Sequence, residues 1–348
     1  MELNLIGKKL EYVDSYVATE SITTKIVKPD YQDKSLVFVS VNSPYLAVGA
    51  TELKDYMKVL EKVESDNEVA ALVLTDVSDN RKVSFAGANV KEFKDLTAKA
   101  VDDDKEPFFD FLREGQKIVE KTAEYKKPLI GALRAAAYGG GAELLMLTYL
   151  VASEDAKLIL PETTLDVGCF LKNPVFVKDG KQYVLTPGST IFPGWHGTRS
   201  GPYKAIEKGI DYDIAMDRHE KMLVYGFLGG VSAYKGLEYK LIDEVVPYEK
   251  MFEHILVRAY ELAAEHKPKI LNKWYVQDSQ KMVVELKNTH REKGIKHFNK
   301  KAPEDALPGL KAAYKAAFTP GYFSWEDAGK RDAVLFVNAI LESVIEKK

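Results

Sequence analysis

Two hydrophobic periods alternate along the first half of the chain. Val69–Leu74 is an unbroken apolar run of strand length, the pattern of a strand covered on both faces. Pro128–Leu133 repeats it. Thr51–Ser65 sets Leu53, Met57, Leu60 and Val63 at helical spacing, and Phe108–Ala123 does the same with Phe108, Leu112, Ile118 and Val119. Ile22–Val27 and Leu36–Val41 read as paired strands joined through a Pro-Asp turn region. Gly139–Gly141 opens a helix that runs through Leu147. Alternating strands and helices predict an α/β fold with crossover connections.

The pattern changes after Gly168. Pro174–Leu185 holds Asp179-Gly180 between two β-rich arms, which predicts a hairpin. Pro187, Gly188, Pro193 and Gly194 bracket its exit. From Tyr203 onward nearly everything reads as helix, except the apolar segment Leu241–Val246. The tail from about Lys267 reads as helical and rich in Lys and Glu, punctuated by Pro303, Pro308 and Pro320. No internal repeat or low-complexity segment is present.

Composition narrows the class. With 348 residues, 46% of them hydrophobic, the chain can build a real core. Its 49 basic and 52 acidic residues give no bulk reason to bind nucleic acid. The one cysteine, Cys169, cannot form an intramolecular disulfide, which points to a reducing, cytoplasmic setting. Met1–Lys9 lacks the basic region and apolar run of a signal peptide. Pro128–Ser153 is the longest apolar-rich stretch, but Arg134 and Glu143 interrupt it. Each charge would cost ~2.5–3.5 kcal/mol at a bilayer centre, so no membrane span is expected. The six histidines fall in no metal-ligand spacing, and no dinucleotide or P-loop fingerprint appears. Neither a metal nor a nicotinamide cofactor is implied.

Three segments can carry chemistry. Ser84–Glu92 (Ser-Phe-Ala-Gly-Ala-Asn-Val-Lys-Glu) is a small-residue turn between strand and helix, open to close backbone approach or simply a connection. Ala137–Leu144 (Ala-Tyr-Gly-Gly-Gly-Ala-Glu-Leu) bares the backbone at a helix start, where N–H groups can hold a developing oxyanion. Glu143 there is either a catalytic group or a favourable charge at a helix N-terminus. Leu158–Thr164 places Glu162 after an apolar run, either part-buried, where a carboxyl titrates above its usual range, or exposed at a strand end.

Taken in order, these segments resemble the crotonase, or enoyl-CoA hydratase/isomerase, superfamily from about Ile22 to Ala264. Phe85–Glu92 is similar to its first oxyanion loop, and Lys127–Leu144 to its second loop with the first catalytic glutamate. Ala152–Glu162 is similar to the segment bearing the second glutamate, Phe192–Thr198 to a later glycine-rich turn, and Gly230–Ala233 with Leu241–Pro247 to a late helix and strand. The resemblance implies a ββα spiral core over residues 1–264, with an insertion at about 169–192, and a helical C-terminal region over 265–348 that assists trimerisation. It implies an acyl-CoA substrate, with coenzyme A as part of the substrate and no separate cofactor, and a homotrimer or homohexamer. The thioester oxygen would be held by the N–H groups of Ala88 and Gly140. Glu143 would activate water for attack at C3, and Glu162 would deliver a proton to C2. Ala86 and Lys91 would contact coenzyme A. Retention of both glutamates favours hydration of a 2,3-unsaturated acyl-CoA, as in fatty acid metabolism, over double-bond isomerisation, thioester hydrolysis or a non-catalytic subunit that only binds the thioester.

The chain departs from the pattern in places. Asn89 stands where Asp is usual, and the step from Glu143 to Glu162 is one residue short. Trp195 and His196 replace small residues beside Gly194, so these three are candidates for an altered acyl pocket. The hairpin can shape that pocket or be a surface or oligomer-contact embellishment. His196 can serve as an acid–base group or as packing, and Cys169 lacks a fixed base partner that would make it a nucleophile.

Overall fold

A computed structural model describes residues 10–14, 16–17, 19, 21–41, 47–76, 83–186, 191–226, 230–265, 274–276, 308–309, 312–313, 316, 321–323 and 325–347. The expected mixed α/β architecture is present. The chain forms two compact units, each interleaved in sequence. Unit 1 draws on Met1–Gly87, Ile118–Leu158 and Val231–Leu271, and unit 2 on Ala88–Lys117, Ile159–Gly230 and Asn272–Lys348.

Unit 1 is built on a seven-stranded sheet. Its strands, in spatial order, are Leu10–Asp14, Ile22–Pro29, Ser35–Val41, Val69–Leu74, Leu129–Leu133, Tyr149–Ser153 and Glu244–Val246. The first pairings are antiparallel hairpins, and those from Ser35–Val41 onward are parallel. Val69–Leu74 lies in the middle of this order with all six residues buried, so its apolar run satisfies two covered faces at once. On one face Ala71, Val73, Ile130, Val151 and Phe38 pack with Met251, Ile255, Leu256 and Ala259 of helix Met251–Glu265. Phe38 stacks on Phe252, with centroids 5.2 Å apart. Helix Ala50–Ser65 buries Leu53, Leu60 and Val63 as expected, with Tyr56 and Val59 on the same face, whereas Met57 is only half-buried; Glu52 accepts the N–H of Gly49 at its start.

A second sheet of unit 1 has four short strands, ordered Val231–Ser232, Lys157–Ile159, Ala136–Tyr138 and Val83–Phe85. The chain passes from the first sheet to the second between Leu133 and Ala136.

Unit 2 has an aromatic core. Phe93, Phe108, Phe192 and Phe336 interlock with ring centroids 5.5 to 6.0 Å apart. The expected hairpin is present as Val175–Lys178 and Lys181–Leu185, and both Asp179 and Gly180 have positive φ, as a two-residue hairpin turn requires. Val344–Glu346 adds a third strand to it.

Among the described residues the expected helical C-terminal region is present as helix Trp325–Glu342, and it also carries short strands that the pattern does not predict. Trp274–Val276 pairs antiparallel with Gly321–Phe323, and helix Trp325–Glu342 precedes the last strand. Short runs of aromatic and β-branched residues favour strand, and strand pairing overrides the helical bias of their Lys- and Glu-rich surroundings. The segment 277–307, with Pro303, lies outside the described residues, as do Met1–Lys9, Pro187, Gly188 and Pro320. Among the described residues no helix is long and apolar enough to cross a membrane.

Unit 2 also encloses charge. Arg199 and Asp332 form an ion pair of 2.7 Å with both side chains fully buried, and the Thr198 hydroxyl adds a bond of 3.2 Å to the same carboxylate oxygen. Burial pushes His219 down to about 4, and the nearby backbone of Gly197 and Thr198 offsets only part of this. Asp332→Ala should therefore destabilise unit 2 by about 3–5 kcal/mol in chemical denaturation, because it strands a buried guanidinium. His219 stays neutral when folded, while an unfolded imidazole binds a proton near 6.5. Stability should fall by roughly 3 kcal/mol as pH drops from 6.5 to 4. His219→Phe should flatten that part of the stability–pH curve.

Candidate active site

The glycine-rich turn follows directly from the second sheet of unit 1. Strand Ala136–Tyr138 runs into Gly139, whose carbonyl accepts the N–H of Glu143 at 3.0 Å and starts helix Gly140–Met146. Every residue of that helix is buried, because all of its sequence except Glu143 is apolar or glycine. Glu143 is 2% exposed.

The strand Val83–Phe85 lies beside this turn, pairing Val83 with Ala136 and Phe85 with Ala137. The two backbones come closer than side chains allow. A Cβ on Gly87 would fall 2.4 Å from the Tyr138 carbonyl oxygen and 3.0 Å from the Gly140 nitrogen, and Gly87 has φ +88°. A Cβ on Gly141 would fall 2.5 Å from Phe85 Cβ. Bare backbone is therefore required on both strands of the approach, which answers why the glycines cluster. Ala86, half-buried, is part of the same turn.

The remaining candidates belong to unit 2. Ala88 follows Gly87 and is half-buried. Asn89 Oδ1 accepts the Lys91 N–H at 3.3 Å, and Asn89 Nδ2 donates to Glu92 Oε1 at 3.3 Å. The second bond explains the departure from Asp at this position, since a carboxylate there would face that of Glu92 with no proton to give. Lys91 is exposed at the start of helix Glu92–Val101. Glu162 is 8% exposed and opens a 3-10 turn, Glu162–Thr164, after Pro161. The Thr163 hydroxyl donates to the Leu223 carbonyl, and the Thr164 hydroxyl donates to the Pro161 carbonyl at 2.9 Å, so the turn is pinned at both ends.

Gly194, Trp195 and His196 lie in the interior of unit 2. Gly194 packs against Leu112 and Phe336, and its carbonyl accepts from Gln116 Nε2 at 2.8 Å. The Trp195 ring, 2% exposed, packs against Phe111 and the backbone of Gly115. His196 Nδ1 lies 2.7 Å from Arg199 Nη1. A guanidinium only donates, so this nitrogen accepts and the ring proton sits on Nε2. Cys169 is exposed on the short helix Val167–Phe170. Among the described residues no group of three or more His, Cys, Asp or Glu side chains could hold a metal ion.

The structure thus brings Ala86, Gly140 and Glu143 together in unit 1. It carries Ala88, Lys91, Glu162 and the Gly194–His196 segment in unit 2. Sequence reasoning missed the Arg199–Asp332 pair, whose partners lie 133 residues apart and leave no local signal.

Residues 32–171 match the enoyl-CoA hydratase/isomerase family. That stretch includes Ala86, Ala88, Lys91, Gly140, Glu143 and Glu162, and excludes Gly194–His196. A probable enoyl-CoA hydratase of Bacillus subtilis (strain 168) is 35% identical over 127 residues, 36% of this chain and 46% of that protein. A short-chain-enoyl-CoA hydratase of Clostridium acetobutylicum is 30% identical over 139 residues, 39% of this chain and 50% of that protein. The chain therefore spans about half the length of the relatives it matches. In fold, it is similar to a crystal structure of an enoyl-CoA hydratase from Bacillus anthracis, with a TM-score of 0.51 at 21% identity over 87% of this chain and 99% of that one.

The close backbone approach makes a direct prediction. Gly87→Ala should cost about 2 kcal/mol or more in thermal denaturation, since it adds both a backbone clash and a strained φ. Ala86→Gly, on the same turn, should cost much less.

Proposed function

We propose that the chain is an enoyl-CoA hydratase of the crotonase type, a reading supported by the match of residues 32–171 to the enoyl-CoA hydratase/isomerase family, and that it adds water across the 2,3 double bond of an acyl-CoA thioester. The observation that carries this reading is in unit 1: a bare-backbone turn at Gly139–Gly141, with a buried carboxylate one helical turn further on at Glu143.

The chemistry follows from the charge that develops. Attack of water at C3 moves the π electrons toward the thioester, and negative charge builds on its oxygen. The N–H groups of Gly140 and Ala88 are assigned to that oxygen. Donors fixed before reaction need no reorganisation as charge appears, and each is worth ~10²–10³ in rate. Glu143 takes the proton of the attacking water as its oxygen bonds to C3. Glu162 gives a proton to C2 as the enolate collapses. One carboxyl must start ionised and the other protonated, and the roles reverse for dehydration. The rigid mounting of each supports these assignments: Glu143 on a fully buried helix, Glu162 on a turn held by Thr163 and Thr164. Ala86 and Lys91 are assigned to coenzyme A, Lys91 through its exposed ammonium.

Glu143→Gln and Glu162→Gln should each lower kcat for crotonyl-CoA by about 10³-fold while thioester binding, followed by calorimetry, survives. In H₂¹⁸O, hydration places the label on C3. Label in a released carboxylate would indicate hydrolysis instead, and a shifted double bond without label would indicate isomerisation. Near-normal hydration by both variants would overturn the mechanism.

A further inference from the structure

The turn that carries Gly140 is reached through a single unusual peptide. Strand Leu129–Leu133 belongs to the seven-stranded sheet and strand Ala136–Tyr138 to the four-stranded one. The peptide joining Arg134 to Ala135 lies between them, beyond the last ladder pair of the first sheet, Leu133 with Ala152, and before the first pair of the second, Ala136 with Val83. Ala135 is buried, so the N–H of that peptide needs a partner other than water.

Two serine hydroxyls supply the partners, one from each sheet. Ser153, the last residue of the strand beside Leu129–Leu133, donates its hydroxyl to the Arg134 carbonyl at 2.8 Å. Ser84, in the strand beside Ala136–Tyr138, accepts the Ala135 N–H at 2.7 Å. Ser84 is 0% and Ser153 1% exposed. The ladder between the strands containing Ser84 and Ala136 is irregular at this point, with a register shift between Val83 and Phe85. The Ser84 hydroxyl therefore supplies a bond at the point where the regular pairing slips. The Arg134 side chain anchors the same corner. Its guanidinium donates to the Asp76 carbonyl and carboxylate, each at 2.9 Å, and to the Tyr248 hydroxyl.

We propose that Ser84 and Ser153 are positioning residues for the reaction: by gripping one peptide at its two ends they set the direction in which the chain leaves the main sheet, and so the aim of the Gly140 N–H five residues on. The inference rests on the proposed role of Gly140. The path between is short and stiff. Ala136–Tyr138 is paired to Val83–Phe85, and the contact of Gly141 with Phe85 leaves the turn no slack. A rotation of the 134–135 peptide must therefore be passed on rather than absorbed. An oxyanion donor works by geometry, so a small change of aim weakens transition-state stabilisation more than substrate binding.

The experiment uses the full-length protein with crotonyl-CoA, comparing Ser84→Ala, Ser84→Thr and Ser153→Ala with the unmodified chain. Ser84→Ala and Ser153→Ala should each lower kcat by about tenfold or more with KM held within about twofold. Ser84→Thr keeps the hydroxyl on a strand that tolerates branching and should recover most of the loss. Amide hydrogen exchange over 136–141 should be at least about tenfold faster in both Ala variants, with the helix Met251–Glu265 unchanged. If Ser84→Ala does not fold, Ser153→Ala decides through the same readouts. Unchanged kcat in a folded Ala variant, or unchanged exchange over 136–141, would overturn the proposal. If the unmodified chain turns over no enoyl-CoA, the hydratase reading fails by itself, and the exchange measurement alone then decides whether the serines hold the turn.

Discussion

The arrangement depends on one steric constraint, the approach of two backbones with nothing between them. Phe85–Gly87 and Tyr138–Gly141 run so close that a single methyl on Gly87 or Gly141 would sit well inside van der Waals contact distance of an atom opposite. The consequences spread outward. The strands on either side must pair, the helix that follows must start at Gly140, and its residues must be apolar because no solvent reaches them. Glu143 is the exception, a buried carboxylate mounted on a rigid helix.

The two units achieve order by different means. Unit 1 relies on apolar strands and an apolar helix face, a core in which size and shape decide stability. Unit 2 combines a cluster of aromatic rings with an enclosed guanidinium, carboxylate and neutral imidazoles. Such a polar network contributes little net stability, but it is costly to break and so favours one packing over its alternatives. His196 belongs to that network through Arg199, and Trp195 to the aromatic cluster through Phe111. Large side chains in the glycine-rich segment 192–198 therefore find a use in interior packing.

Much of this could be read from the chain. The buried strands Val69–Leu74 and Leu129–Leu133, the helices Ala50–Ser65 and Glu106–Ala123, and the Asp179-Gly180 hairpin all carry their period or turn chemistry locally. The glycine cluster and its neighbouring glutamate were legible as candidate chemistry because glycine has so few other reasons to recur. What could not be read depends on partners distant in sequence. Arg199 meets Asp332 across 133 residues, and Ser84 meets Ala135 across 51. The strands near the C-terminus escaped because their three-residue runs are too short to show a period, and pairing rather than propensity decides them. Asn89 departs from the family pattern, and its amide donates to Glu92 Oε1, a bond the sequence alone does not display.

The central claim is that fixed backbone N–H groups at the glycine turn hold a thioester oxygen. The most direct test is the vibrational spectrum of an acyl-CoA bound to the protein, with ¹³C at the thioester carbonyl. Polarisation by fixed donors should move that carbonyl stretch to lower frequency than in water, because the donors do not reorient as solvent does. A bound thioester whose carbonyl stretch stays at its frequency in water would contradict the account.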